Sequence, residues 1–375
     1  MRQEEQSQSS TSLKWLIEEG AREGKWDRVR SRCETHPDEI QEMDSQSGRT
    51  VLHQLCATPE SPEDVFKIVA ENFPEATKMQ ENKYMATPLH ILAWSTLKSV
   101  GKVQILLDHM DSESILLKNR FGGTVLHSAC GMNAWLPVIK LIVEKNPAIL
   151  LERTHDYNDS ALTALWHSHL QSIPGHMAIA RILEGDEVNE EHFERFWEKV
   201  EYLVCGTFKL SPMCPPDIDP TTTDYLLFGL IHLRAPINTM KVALKRNPAW
   251  AAHADVEGNY PLHHVVIRRP FRIKDIELIS ELVKAYPQAA GKRNNEGCTP
   301  LFLAIHGKMV WEEGLGEIVK ADTDVLASRD KETGLYPFLL AASEGGRVAV
   351  NTTYQLLCAK PHLVKDALKT NFEIP

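Results

Sequence analysis

The phrase RTVLHQLCA at residues 49–57 returns as ATPLHILAW at 86–94 and as GTVLHSACG at 123–131. Its threonines, Thr50, Thr87 and Thr124, stand 37 residues apart at both steps. A catalytic motif has no reason to recur at a fixed interval. A supersecondary unit that buries its apolar face only by stacking on copies of itself does. Weaker copies follow: GNYPLHHVV at 258–266, GCTPLFLAI at 297–305 and GLYPFLLAA at 334–342, with degenerate ones at 159–167 (DSALTALWH) and 224–232 (DYLLFGLIH). Marked at the threonine-equivalent residue, the copies fall at 50, 87, 124, 160, 225, 260, 299 and 336, with one long step between 160 and 225.

A second landmark recurs out of phase with the first. Apolar residues at spacings of three and four, the signature of a helix with one buried stripe, run up to a proline in VFKIVAENFP (65–74), VIKLIVEKNP (138–147), TMKVALKRNP (239–248), LISELVKAYP (278–287) and TYQLLCAKP (353–361). The proline is expected to stop each helix. Short polar stretches with Asn, Asp and Gly, such as ADVEGNY (254–260), then read as turns. Each unit is therefore turn, short helix, longer helix, proline stop. Within the phrase, Thr87 suits the N-cap and Pro88 the first helical position, where a missing N–H costs nothing. Leu89 points to the core, and His90 falls where its ring can hydrogen-bond back to the cap. Small residues follow at Ala93, Ala129 and Ala304, letting a neighbouring helix approach closely.

Sequence, period and helix order together resemble the ankyrin repeat, whose hallmark is Thr-Pro-Leu-His after a Gly-containing β-turn. The resemblance covers roughly residues 40–361. The residues that carry it are Thr50, His53, Thr87, Pro88, Leu89, His90, Thr124, His127, Pro261, His263, Thr299, Pro300 and Pro337. The histidine is absent at Phe302 and Leu339, and tyrosine replaces threonine at Tyr260 and Tyr336. The resemblance implies an all-α, ankyrin-like repeat solenoid of about eight helix–turn–helix units joined by β-turn or hairpin loops, with one insertion.

That reading divides the chain into a disordered N-terminus (1–11), a helical cap (12–39), a first group of repeats (40–169), an insertion (170–223), a second group (224–361) and a tail (362–375). Residues 12–37 read as two helices ending in Pro37, without the hallmark, as a solenoid's end unit should. Within the insertion, 175–204 carries an acidic helix with Phe193, Phe196, Trp197, Val200 and Leu203 on roughly one face, and proline-rich 205–223 reads as an extended linker. Either the helix is the lengthened second helix of the fourth unit, its aromatics in the core, or it is a docking element offering Glu190, Glu191, Glu194 and Glu198 to a basic partner.

Composition bounds the function. A net charge of −10 speaks against sequence-independent nucleic-acid binding, which needs clustered excess cations. No window approaches an unbroken membrane span and no secretory signal opens the chain, so a cytoplasmic or nuclear protein without membrane insertion is expected. Seven scattered cysteines fit reduced thiols better than a disulfide framework. No P-loop, nucleophile elbow or zinc spacing occurs, and GLGEIV (314–319) lacks the third glycine and the preceding strand of a dinucleotide fingerprint. No catalytic residue, metal or cofactor is expected.

The reading is thus a monomeric, non-catalytic scaffold or adaptor that binds another protein on a concave face. The resemblance implies that this face is built from turn tips and from the exposed ends of the short helices. Its candidates are Lys83, Arg120, Phe121, Tyr157, Glu257 and Glu296 at the tips, and Trp94, Met132, His167, His232, Arg268 and His306 along the short helices. Trp94, Phe121, Tyr157 and Met132 belong to consecutive units and suggest one patch, unless Trp94 folds down as core. The alternatives are a dedicated docking element or an active site in 170–223, the latter using His176, His192 and Glu194.

Overall fold

The structure, a computed structural model, describes residues 12–95, 99–155, 158–184, 191–210, 225–267, 273–345 and 347–364. It is an all-α repeat solenoid. Among the described residues it has 19 α-helices, short 3-10 turns and one isolated antiparallel bridge between Met43 and Thr50, with no strand. The chain separates into two compact units, Met1–His176 with Glu190–Leu203, and Met177–Asn189 with Val204–Pro375.

The first unit opens with α1 (Leu13–Glu23) and α2 (Trp26–Thr35). Helix–turn–helix pairs follow: α3 (Val51–Ala57) with α4 (Glu63–Asn72), α5 (Pro88–Ser95) with α6 (Val100–His109), and α7 (Val125–Gly131) with α8 (Leu136–Lys145). Then come α9 (Ala161–Gln171), α10 (Ile173–Glu184) and α11 (Glu191–Lys209), of which 177–184 and 204–209 belong to the second unit. Short helix packs on short helix, α1 on α3, α3 on α5, α5 on α7 and α7 on α9; long packs on long, α2 on α4, α4 on α6 and α6 on α8. The opening pair thus occupies repeat positions without the hallmark phrase. The second unit repeats the scheme with α12 (Leu226–His232), α13 (Ile237–Arg246), α14 (Pro261–Ile267), α15 (Ile273–Ala285), α16 (Pro300–His306), α17 (Leu315–Ala321), α18 (Pro337–Ser343) and α19 (Arg347–Ala359).

Burial explains the period. Each short helix is almost wholly inside: Leu52, Leu55, Leu89, Leu126, Leu165, Leu301 and Ala304 are buried. Each long helix buries one stripe, as Val65, Phe66 and Val69 do on α4. The prolines do more than stop helices. Pro74, Pro147, Pro248 and Pro287 each open a 3-10 turn one residue after a C-cap. Proline is tolerated at a helical N-terminus because its missing N–H would find no partner there. The turn that follows carries buried apolar residues back toward the next tip, as Ile149 and Leu150 do.

Phe193, Phe196, Trp197, Val200 and Leu203 of α11 are all buried, so its aromatic face is core. Phe196 stacks on His169 at 3.8 Å and packs on Trp166 at 5.7 Å. Beside α8, the Lys140 ammonium lies 5.7 Å over the Tyr202 ring, and Lys199 donates to Asn133 Oδ1 at 2.7 Å. The helix runs on to Lys209, so 205–209 is helical rather than linker.

Candidate partner-binding surface

Four of the short helices start from one local chemistry, complete at three of them. The Thr50 hydroxyl accepts from the His53 amide, while the His53 ring turns back to the cap, its Nδ1 accepting from the Thr50 amide at 3.2 Å and lying 2.8 Å from the Thr50 hydroxyl. With Nδ1 committed as an acceptor, Nε2 carries the proton and donates to the Ala86 carbonyl, 3.1 Å away in the next turn. The same contacts join Thr87, His90 and the Gly123 carbonyl, then Thr124, His127 and the Asp159 carbonyl; Tyr260, His263 and the Cys298 carbonyl keep all but the hydroxyl. These imidazoles are staples between consecutive repeats. Burial holds His53, His90 and His263 neutral, pushing each down to about 4 from an ordinary 6.5, and lowers His127 as well.

Ahead of each cap the chain makes a tight turn closed by a side-chain oxygen. Asp44, Asn119 and Asp255 each accept from backbone amides two to four residues on. The turn then needs one left-handed residue, and glycine supplies it at Gly48, Gly122, Gly258, Gly297 and Gly334. At the corresponding place in the second turn of the first unit stands Met85, with φ of 51°. Successive tips are stitched together: Asn82 donates to the Ser47 carbonyl, Arg120 to the Tyr84 carbonyl and Asn295 to the Glu257 carbonyl, each at 2.7–2.8 Å.

On this row the first unit displays a cluster that the sequence reading gives only in part. Phe121, 55% exposed, stacks on Tyr84 at 6.2 Å, and Tyr84 meets Trp94 edge-on at 5.9 Å. Trp94 is half-buried, leaning also on His90 at 6.3 Å, so it is neither free surface nor core. The Lys83 ammonium sits 4.8 Å over the Tyr84 ring. Tyr84 is the member missed in the sequence; its only signal is that it follows Lys83 at the tip.

Met132 is also exposed, and Tyr157 and Arg268 lie outside the described residues. His167, His232, Glu257 and Glu296 are exposed. His306 is turned into its neighbour, with Nε2 3.3 Å from Asp330 Oδ1 and Nδ1 3.7 Å from Glu344 Oε1, which withdraws it from an outward role.

In the alternative region, a cavity of about 460 Å³ lies between α11 and the start of α8 with the residues before it (Asn133, Trp135, Leu136, Pro137), lined also by His192, Arg195, Phe196, Glu198 and Lys199. Of its two cations, Lys199 is committed to the carbonyl and amide oxygens of Asn133, as Lys102 is to Pro59 and Ser61 between earlier repeats. Arg195 is ion-paired with Glu191. His176 is exposed and its amide continues a helical turn to the Ser172 carbonyl. No serine, threonine or cysteine lines the cavity, and no group of three or more His, Cys, Asp or Glu among the described residues could hold a metal. The buried thiols Cys33 and Cys130 are pushed up by desolvation to about 11 and about 12, away from reactivity. Among the described residues no helix is long and apolar enough to cross a membrane.

No family model and no curated protein matches this chain. Among solved structures it is similar to the ankyrin repeat domain of Bcl-3, described as a unique member of the IkappaB protein family. Identity is 15% and the TM-score 0.34, over 73% of this chain and 100% of that one. A likeness at that TM-score carries no weight; the fold class rests on the repeated caps, turns and stacking.

Proposed function

We propose that this protein is a non-catalytic interaction scaffold or adaptor, holding a partner protein against the turn tips and short-helix ends of its repeats. The observation that carries the reading is the Phe121–Tyr84–Trp94 cluster, an apolar, partly open surface on a row of tips braced by backbone hydrogen bonds. Exposed aromatics on a rigid frame are good anchors, because little side-chain or loop entropy is lost on binding. Among the described residues the Thr and His side chains of the hallmark phrase are turned inward as caps and staples, whereas the tips face outward.

The test is site-specific photo-crosslinking. A benzophenone side chain at position 121 should yield discrete protein adducts in cells, and the same group at exposed Glu71 on α4 should not. A chain with Trp94→Ala, Tyr84→Ala and Phe121→Ala, shown to be folded by circular dichroism, should lose the partner that wild type retains. Adducts equally abundant at both positions, or none at 121, would remove the reading.

A further inference from the structure

We propose that the tip surface of the first unit takes an acidic peptide segment that carries an apolar or aromatic side chain beside its carboxylates. This rests on the reading above that the tip surface binds a protein, and it adds the chemistry of the partner.

Charge is the first argument. The whole chain carries −10, yet among the described residues the outward groups of fixed charge flanking the aromatic cluster are Lys83 and Arg120. Neither forms an ion pair among the described residues, although Arg120 reaches the Lys83 carbonyl at 3.4 Å and so lies beside it. The one carboxylate of that turn, Glu81, is 1% exposed; it accepts from the Lys83 and Tyr84 amides and faces Arg49 at 3.8 Å, so it does not neutralise the surface. At corresponding tips of the second unit stand exposed Glu257 and Glu296, and at a third Lys331 beside Glu332. The scaffold therefore tolerates either sign at a tip, and the cations beside the aromatics are a local choice rather than a requirement of the turn.

Met85 is the second argument, independent of the first. Its φ of 51° costs an L-residue roughly 1 kcal/mol relative to the glycine that fills the same place in five other turns. Its side chain is 49% exposed, so burial does not repay that strain. A strained, outward methionine next to Tyr84 and Lys83 is accounted for if its thioether packs on a ligand, since methionine adapts its shape to apolar partners at little cost. Two cations would seat carboxylates; Met85, Tyr84, Phe121 and Trp94 would seat the apolar side chain between them. Nucleic acid fits less well, because two neutralised phosphates give a salt slope of only about −2, on a chain whose net charge repels it.

The experiment uses the full chain and a fluorescein-labelled random copolymer of glutamate and tyrosine, with polyglutamate as the partner lacking the apolar component. The copolymer should bind at least about tenfold more tightly than polyglutamate, and weaken as salt is raised. Joint Lys83→Glu and Arg120→Glu substitution should weaken the copolymer about tenfold or more, and Met85→Gly about threefold, in chains that remain folded by circular dichroism. No binding of the copolymer, or binding indifferent to the charge reversal, would overturn the proposal, as would an oligothymidylate that displaces the copolymer from wild type. The two readings fail separately. If adducts at position 121 survive the charge reversal but vanish with Trp94→Ala and Tyr84→Ala, the scaffold stands and the acidic partner falls; if they survive both, the tip surface itself is wrong.

Discussion

The neutral histidine staples make stability depend on pH in a way that can be worked from the structure. His53, His90 and His263 are held at about 4 when folded, against 6.5 when unfolded. The unfolded chain therefore binds more protons between those values, so stability is complete above about pH 6.5 and is lost as pH falls toward 4. From pH 7 to pH 5 each imidazole removes about 1.8 kcal/mol, and the three together about 5.5 kcal/mol, comparable to the whole stability of many domains. The structure also supplies the control. Phe302 fills the histidine position of its own repeat and is fully buried, so His90→Phe has a native precedent. That variant forfeits the bonds to Thr87 and to the Gly123 carbonyl and loses some stability at pH 7, but its further loss down to pH 5 should be smaller than wild type's by about 2 kcal/mol. Urea denaturation of both chains across this range, followed by circular dichroism, reads the difference. Parallel pH profiles, or a folded-state His90 resonance that titrates near 6.5 by NMR, would refute the reasoning.

Three substitutions test the turns and caps by denaturant midpoints. Met85→Gly should stabilise the fold by about 1 kcal/mol by releasing the left-handed strain, the reverse of the usual effect of introducing glycine. Thr87→Val should cost about 1–2 kcal/mol, because it removes the acceptor of the His90 amide and leaves the buried Nδ1 with only a long backbone contact. Gly122→Ala should cost more than Gly334→Ala: both have positive φ, but a Cβ at 122 would lie 2.5 Å from the His155 backbone nitrogen, whereas nothing lies within 4 Å at 334. Equal losses at the two glycines would mean that close stacking of successive tips contributes nothing.

What could be read in the sequence was what is decided within a few residues. The cap at Thr87 and its return bond from His90 span three residues, so the phrase that encodes them is visible as text. The period then fixes stacking, since a helix apolar nearly all round must be covered on both sides. What depends on distant residues was not legible. His306 looks like an outward residue until Asp330 and Glu344, far along the chain, are found against it. The prolines announce a break, but not that Ile149 or Ala289 will continue into the core as a 3-10 turn. In the insertion, the prolines drew the linker forward to 205, while the apolar spacing of Val204 and Phe208 carried the helix to Lys209. Tyr84 and Met85 escaped notice because neither belongs to a helix period; their significance lies in φ and in ring contacts across a turn.

The same division separates residues that can bind a partner from those that cannot. Sixteen histidines invite a search for metal or acid–base chemistry. In the staples, however, Nδ1 already accepts from the cap and Nε2 already donates to the next turn, so each ring has no lone pair left for a metal and no proton free to transfer. Their regularity is the consequence of a shared structural task, and where the histidine is replaced at Phe302 the substitute is again a buried group that faces no ligand. Tips have no such constraint beyond one left-handed residue and one acceptor oxygen. They can carry glutamate at one turn and lysine or arginine at another, or give up glycine for methionine at about 1 kcal/mol. A strain of that size is tolerable because it falls on one turn of a stack whose neighbours are tied to it by backbone bonds on both sides, as Asn82 to Ser47 and Arg120 to Tyr84 show. Recognition is therefore expected where the repeat departs from itself, and among the described tips of the first unit it departs most at Tyr84 and Met85.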